Sequence, residues 1–501
     1  NMTWSNILTY QTKIKKKHNL DLLAGYEINS KESDGLGTTI SNFARWDKPE
    51  VNNGVVYQSM GGSNSTTRIV SYITRANYDY DNKYYLGASW RTDGSSRLAR
   101  ENRWGNFWSL SGAWRVSSES FMKPLQNWLS DLKLRVSYGV NGTLPSSYYG
   151  YMGLSSLTSN YNDNPGITQS QLENKELTWE TNYNFNSGID LGFFDNRLNV
   201  TFEYYVRTTK NLLYSRPLSL ATGFSSYLAN IGKLQNKGYE LEIRSTNIET
   251  KDFRWSTSLN LGHNANKILK LDGDLKQVTS GTSIHKVGLP YSTYYMIEFA
   301  GIDPVDGEPM FYKNTTDENG NLNKETTKDP RSAEKVILQC ADPTITGGLG
   351  NSISYKWFDL NFNVNFSFGA WNYDGAAGKL EHGGDGTLNI PIYYRKRWQK
   401  EGDETSIERF VVGRSISMTD YATTRRLYSG DYVRLKNLTF GFTLPKTWTR
   451  KVGIDNIRLY ASGNNLLTWA AYDYIDPESG SSPSWDTPPM RTYTFGLEVK
   501  F

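Results

Sequence analysis

In the segment FDLNFNVNFSFG, Phe358, Leu360, Phe362, Val364, Phe366 and Phe368 alternate with Asp359, Asn361, Asn363, Asn365, Ser367 and Gly369. A period of two sends the two sets to opposite faces of an extended strand. Globular strands usually run about five or six residues. This twelve-residue run better suits a tilted strand crossing a bilayer, which needs about nine to eleven. In DLKLRVSYGV, Leu132, Leu134, Val136, Tyr138 and Val140 oppose Lys133, Arg135, Ser137 and Gly139. In RLNVTFEYYVR, Leu198, Val200, Phe202 and Tyr204 oppose Asn199, Thr201, Glu203 and Tyr205. In GYELEIRS, Tyr239, Leu241 and Ile243 oppose Glu240, Glu242 and Arg244. The chain closes on MRTYTFGLEVKF, with Tyr493, Phe495, Leu497, Val499 and Phe501 on one face. In GDYVRLKNLTFGFTLP the phase slips near Lys436 and Asn437, as a bulge or a membrane boundary would make it, then resumes at Leu438, Phe440, Phe442 and Leu444.

The same reading predicts fifteen strands: 2–12, 18–29, 68–80, 84–92, 107–117, 131–141, 177–191, 196–209, 236–247, 253–264, 346–355, 358–369, 430–443, 456–468 and 490–501. Their connections alternate in length. Short ones fall at 13–17, 81–83, 118–130, 192–195, 248–252, 356–357 and 444–455. Long ones fall at about 30–67, 93–106, 142–176, 210–235, 265–345, 370–429 and 469–489. A sandwich has no reason to sort its loops this way, whereas an outer-membrane barrel has short periplasmic turns and longer extracellular loops. The expected fold is therefore all-β, a transmembrane antiparallel β-barrel. Loops as long as 265–345 and 370–429 are expected to carry function or local structure.

If the last strand ends in the periplasm, the first one runs downward, and a count of fifteen is odd where single-chain bacterial barrels have even numbers. The expectation is that at least one strand lies upstream of Asn1. The opening residues Asn1-Met2-Thr3-Trp4 show no leader pattern and already read as a strand, as a mature or partial piece would.

Composition agrees with an interface-rich β-protein. There are 34 Tyr, 15 Trp and 44 Gly in 501 residues. Mean hydropathy is −0.60, and no apolar run reaches the eighteen residues of a spanning helix. The 55 Lys and Arg against 51 Asp and Glu leave only +4, which is not a nucleic-acid footprint. The lone Cys340 rules out an internal disulfide framework.

Candidate chemistry is sparse. His18, His263, His285 and His382 are scattered, and neither H-E-x-x-H nor G-x-S-x-G occurs. TTDENGNLNK at 315–324 lacks the full calcium-loop ligand pattern and reads as an Asn-Gly turn. Asp303 and Asp306 lie in a DPVDGEP turn, without the separation across a sugar that a glycosidase needs. No catalytic, metal or cofactor site is expected. Lys133, Arg135, Glu203, Glu240, Glu242, Arg244, Arg434, Lys436, Arg458, Glu498 and Lys500 fall on the polar face, where solvation or cross-strand pairing accounts for each. Trp4, Trp90, Trp114, Trp255, Trp357 and Trp469 sit near strand ends, as interfacial girdle residues do. Four loop aromatics, Trp371, Tyr373, Tyr294 and Tyr295, are the candidate substrate contacts, since both sugars and peptides pack on aromatic faces.

Several long blocks resemble the SusC-like TonB-dependent transporters (the SusC/RagA type) of Bacteroidetes. They include SYITRANYDYDNKYYLGASWRTDGSSRLARENRWGNFWSLSGAWRVSSESFM at 71–122, LTWETNYNFNSGIDLGFFDNRLNVTFEYYVRTTKNLL at 177–213 and NIGKLQNKGYELEI at 230–243. AGIDPVDGEPMFY at 300–312, DPTITGGLGNSISYKWFDLNFNVNFSFG at 342–369, DYVRLKNLTFGFTLP at 431–445 and IRLYASGNNLLTW at 457–469 continue it in order. The resemblance implies a 22-stranded barrel around an N-terminal plug, a size class of outer-membrane transporters, of which these strands would be the eighth to the last. It implies import of oligosaccharides or oligopeptides with a SusD-like surface lipoprotein as lid and TonB pulling on the plug. The plug and TonB box have no counterpart in this sequence. A passive pore or structural barrel is the alternative, and a secreted β-rich glycan-binding or hydrolytic domain is disfavoured by the loop sorting.

Overall fold

A computed structural model describes residues 1–501 apart from 46, 49, 158, 159, 163, 272, 274, 317–320, 385–388, 414–420, 473 and 480–486. Fifteen strands form one sheet in chain order. They are β1 (Met2–Ile14), β2 (His18–Phe43), β3 (Gly54–Tyr80), β4 (Tyr84–Ser95), β5 (Trp104–Arg115), β6 (Leu129–Thr143), β7 (Glu180–Phe193) and β8 (Leu198–Lys210). The others are β9 (Lys233–Glu249), β10 (Phe253–Lys270), β11 (Ile345–Tyr355), β12 (Phe358–Phe368), β13 (Tyr432–Thr443), β14 (Asn456–Ala470) and β15 (Thr492–Lys500). Each corresponds to an expected strand. No helix among the described residues is long and apolar enough to cross a membrane.

The expected loop at 30–67 is the one marked departure. Strands β2 and β3 stay paired from Lys31↔Thr67 out to Phe43↔Gly54, with a register shift after Thr39. Residues 31–39 are exposed throughout. Alternation reports burial of one face, and a ribbon that buries neither face has no reason to show it. The other long connections carry local structure instead. Residues 271–344 hold a four-stranded and a three-stranded sheet, and residues 369–431 hold a two-stranded sheet and the short helix α1 (Gly375–Leu380). Thr316 and Leu322 bridge antiparallel; the expected Asn-Gly turn between them lies outside the described residues.

The chain divides into two compact units. In the first (1–120, 133–187 and 206–234), the apolar face carries two rows of rings. Trp4, Tyr26, Tyr72 and Trp104 form one, with successive centroids 5.9, 5.1 and 6.3 Å apart. Tyr80, Tyr84 and Trp114 form the other, at 6.4 and 6.3 Å. Tyr72 and Tyr80 share a face of β3, so eight residues separate the rows. That is about 27 Å of strand, or about 20 Å of height at a tilt of about 40°, close to the apolar band of about 25 Å between the aromatic girdles of a membrane barrel. Trp4 and Trp114 thus stand where interfacial residues are expected. Leu98, Phe107 of β5, Val140 of β6, Leu177 and Trp179 form a buried cluster that Leu213 and Leu228 join.

In the second unit (121–132, 188–205 and 235–501), the register of β11, β12 and β13 keeps the faces apart. Leu349, Val364 and Leu435 align on the apolar face, and Gly348, Asn365 and Arg434 on the polar one. Asn363 pairs with Asn437 and Val364 with Leu435, so Lys436 is the extra residue of a bulge, at the phase slip read from sequence. Arg458 of β14 reaches past β13 to Asp359 of β12, at 2.7 Å. Gly441 makes that span feasible, because a Cβ there would collide with both partners.

Phe362→Arg should cost the full-length protein about 2–4 kcal/mol of folding stability in lipid vesicles, since it sets a charge near mid-strand on the apolar face. Asn361→Arg, one residue away on the polar face, should cost little. Denaturant titration in vesicles measures both, and equal losses would refute the facial assignment.

Candidate functional site

The four aromatics expected to meet substrate lie in the second unit, in different settings. Tyr294 is only 3% exposed, so its ring has no face open to solvent. Tyr295, its neighbour on the strand Thr293–Ile297, is half-buried. Trp371 and Tyr373 are half-buried on a short strand, Trp371–Tyr373, which pairs with Leu427–Ser429.

That strand leads into a buried ionic network that sequence reading did not find. Asp374, N-terminal to α1, accepts from the Ala377 amide at 2.7 Å and from the Tyr472 hydroxyl at 3.1 Å. After α1, Glu381 accepts from the Tyr393 hydroxyl at 2.6 Å and pairs with Arg425 and Arg426. Glu408, fully buried, accepts from Tyr394 at 2.9 Å and pairs with Arg425. Burial alone would lower the affinity of Arg425 for its proton, but the Glu408 and Glu381 carboxylates outweigh it and hold the guanidinium charged. Burial lifts the phenols of Tyr393, Tyr394 and Tyr472 far above their ordinary value, and Glu381, Glu408 and Asp374 beside them add to it. The only signal in the sequence was local density, in IPIYYRKRW, TTRRLYSGDY and AAYDYIDPE, with no periodicity to expose it.

A second network anchors the piece of chain after β14. Arg434, 2% exposed, donates to Thr468 at 3.0 Å, Glu478 at 2.7 Å and Asp476 at 2.6 Å. Lys436 also reaches Glu478, at 2.6 Å. Both cations were expected on the polar face, and they hold residues 476–478 against it.

On the polar face of this unit there is also a trough of about 700 Å³, lined by Glu203, Glu240, Glu242, Asn260, Gly348 and Asn365 among others. It lies on the strands, and none of the four loop aromatics lines it. Among the described residues, no group of three His, Cys, Asp or Glu gathers as a metal site would.

The chain is similar to known proteins over nearly its whole length. Residues 2–466 match the family described as TonB dependent receptor-like, beta-barrel. A relative from Formosa agariphila named TonB-dependent receptor P3 is 34% identical over 99% of this chain and 52% of its own length. The TonB-dependent receptor SusC of Bacteroides thetaiotaomicron is 30% identical over 86% of this chain and 44% of its own. A solved structure of the RagAB peptide transporter superposes with a TM-score of 0.85 and 29% identity, covering 100% of this chain and 55% of that one. The chain spans about half the length of the curated relatives it matches.

Arg434→Ala removes one partner of a buried ion pair, a change that typically costs about 3–5 kcal/mol. Limited proteolysis of the full-length variant should therefore cut faster near 476–478, and an unchanged rate there would mean that the network does not hold those residues. The phenols give a pH prediction. Their folded pKa is raised, so their stabilising contribution is complete below the unfolded value of about 10 and drains away only as pH climbs through the folded one. Tyr472→Phe should accordingly leave the growth of phenolate absorbance up to about pH 11 unchanged, whereas a smaller rise would show that Tyr472 titrates as an open phenol.

Proposed function

From the premise that this chain belongs to the TonB-dependent receptor-like β-barrel family, is SusC-like and lies in the outer membrane, we propose that it serves active import of oligosaccharides or oligopeptides. TonB supplies the pull, and a SusD-like lipoprotein closes over the outer loops. The observation that supports this reading most is the sorting of the connections. The turns at one end of the sheet are short, such as 81–83 and 356–357, whereas the connections 271–344 and 369–431 carry sheets of their own, and the second a buried ionic network. A bare pore has no use for so much ordered structure at one end. A surface that selects cargo and meets a lid does.

Relatives named as TonB-dependent receptors, and a neighbour titled a peptide transporter, support the reading. In it, the long connections face outward. The mixed charges of the polar face, such as Arg458 paired with Asp359, line the barrel interior. Trp371, Tyr373 and Tyr295 remain proposed contacts for cargo. Tyr294 acts by supporting its neighbours.

The test is depletion of a mixed pool of oligosaccharides and peptides by cells expressing the full-length gene with its lipoprotein, with and without TonB. TonB-dependent depletion of either class is the expected result. Equal depletion without TonB would favour the passive pore and overturn the importer.

A further inference from the structure

The first hairpin turn goes against its own backbone. Lys17 donates its amide to the Ile14 carbonyl at 3.2 Å, and between them Lys15 and Lys16 adopt φ of 47° and 59°. The next turn of the same unit has the same form. Lys83 donates to the Tyr80 carbonyl at 2.9 Å, and Asp81 and Asn82 adopt φ of 55° and 53°. Two left-handed residues match the twist of a hairpin, but the conformation favours Asn, Asp and Gly. Asp81 and Asn82 fit that preference. Lys15 and Lys16 do not, because their Cβ atoms crowd the following carbonyls. Strain of this kind, where a better-suited pair serves the neighbouring turn, points to a use for the side chains.

The charges at this rim leave the same two residues over. Lys17 pairs with Asp81 at 3.3 Å and Lys83 with Glu119 at 3.2 Å. Asp79 accepts from the Asn19 amide at 2.8 and 3.0 Å. Lys15 and Lys16 are exposed and, among the described residues, have no carboxylate partner.

Their place in the wall says what lies in front of them. The row of Tyr80, Tyr84 and Trp114 continues onto His18, whose ring lies 5.0 Å from Tyr80. His18 pairs across the hairpin with Ile14, which is exposed and shares the apolar face with Trp4 and Tyr10. Lys15 and Lys16 follow Ile14 directly, about 3–7 Å of chain past the row. Such a row marks the level at which acyl chains give way to headgroups. A lysine stem laid along that boundary carries its ammonium outward to the phosphates. A zwitterionic headgroup brings an ammonium of its own that competes for its phosphate, whereas an anionic one does not. A protein partner would need an apolar centre to dock on, and the apolar residue at this turn, Ile14, faces the acyl chains.

We propose that Lys15 and Lys16 form a docking site for the headgroup phosphate of an anionic phospholipid. The leaflet rests on the importer reading. With the long connections outward, this turn is periplasmic and the lipid belongs to the inner leaflet.

The test places the full-length protein in nanodiscs of phosphatidylglycerol and phosphatidylethanolamine in equal parts. Native mass spectrometry reads which lipid stays bound longest as the disc is stripped. The wild type should favour phosphatidylglycerol by about five-fold for each lysine. Lys15→Gln/Lys16→Gln should abolish that preference and Lys15→Arg/Lys16→Arg should keep it. Lys15→Asn/Lys16→Gly should abolish it too, while raising the denaturant midpoint, because it relieves the turn. Heat-modifiable gel mobility checks that each variant folds. Equal preference in the wild type and the double glutamine variant overturns the proposal. So does displacement of the lipid by inorganic phosphate at the same concentration, which would mark a site for phosphate from any source. Orientation is read separately, from Lys16→Cys in a Cys340→Ser background treated with a membrane-impermeant maleimide. Position 16 should stay unlabelled on intact cells and react once the outer membrane is opened. Labelling on intact cells would overturn the periplasmic placement, and with it the outward loops of the importer reading, whichever lipid the turn retains. A lipid preference indifferent to the lysines would overturn the site and leave that placement intact.

Discussion

A strand in lipid has no water to satisfy its N–H and C=O groups, so each must pair with a neighbouring strand. Chain-order pairing of fifteen strands, each hydrogen-bonded to the next, is the local solution to that demand. Once backbone pairing is obligatory, side chains need only be sorted between two environments. The register does this sorting, for a slip of one residue would exchange the faces. The two rows of rings on the first unit mark where one environment ends and the other begins.

Beyond the strands the constraint relaxes, and different forces take over. Connections that stand clear of lipid can meet water, so they need a reason to be ordered. In residues 369–431 that reason is electrostatic. Glu408 is fully buried, yet it keeps a guanidinium and a phenol as partners, and Glu381 keeps two arginines and another phenol. Buried ion pairs are a weak source of net stability, because desolvation offsets most of the attraction. They are a strong source of specificity, because any alternative loop packing would strand a charge. The tyrosines that donate to these carboxylates are thereby held in one arrangement.

The sheet was legible in the sequence because alternation is the direct imprint of a wall with two solvents. Phe358 to Phe368 shows it without interruption, and all fifteen strands followed from the same imprint. The β2–β3 extension was not legible, since residues 31–39 bury neither face and leave no period to read. The loop networks were hidden for another reason. Asp374, Glu381, Glu408, Arg425 and Tyr472 come together through tertiary folding across 99 positions of chain, and no spacing rule links them. The aromatics picked from the sequence were chosen by type alone, and burial separates them. Tyr294 turned inward, whereas Trp371, Tyr373 and Tyr295 are half-buried.

The bulge at Lys436 joins these two regimes. Counting back from Leu438, Phe440 and Phe442, strict alternation would put Lys436 and Arg434 on the apolar face. A buried or lipid-facing arginine there would cost about 2–4 kcal/mol. One inserted residue reverses the phase, so that Leu435 and Val433 turn apolar and Arg434 turns polar. From that position its guanidinium meets Asp476 and Glu478, a few residues beyond Tyr472. The irregularity that interrupts the strand pattern is therefore what carries a cation from the wall to the segment after Tyr472. A regular strand could satisfy the membrane, but it could not also hold that segment in place.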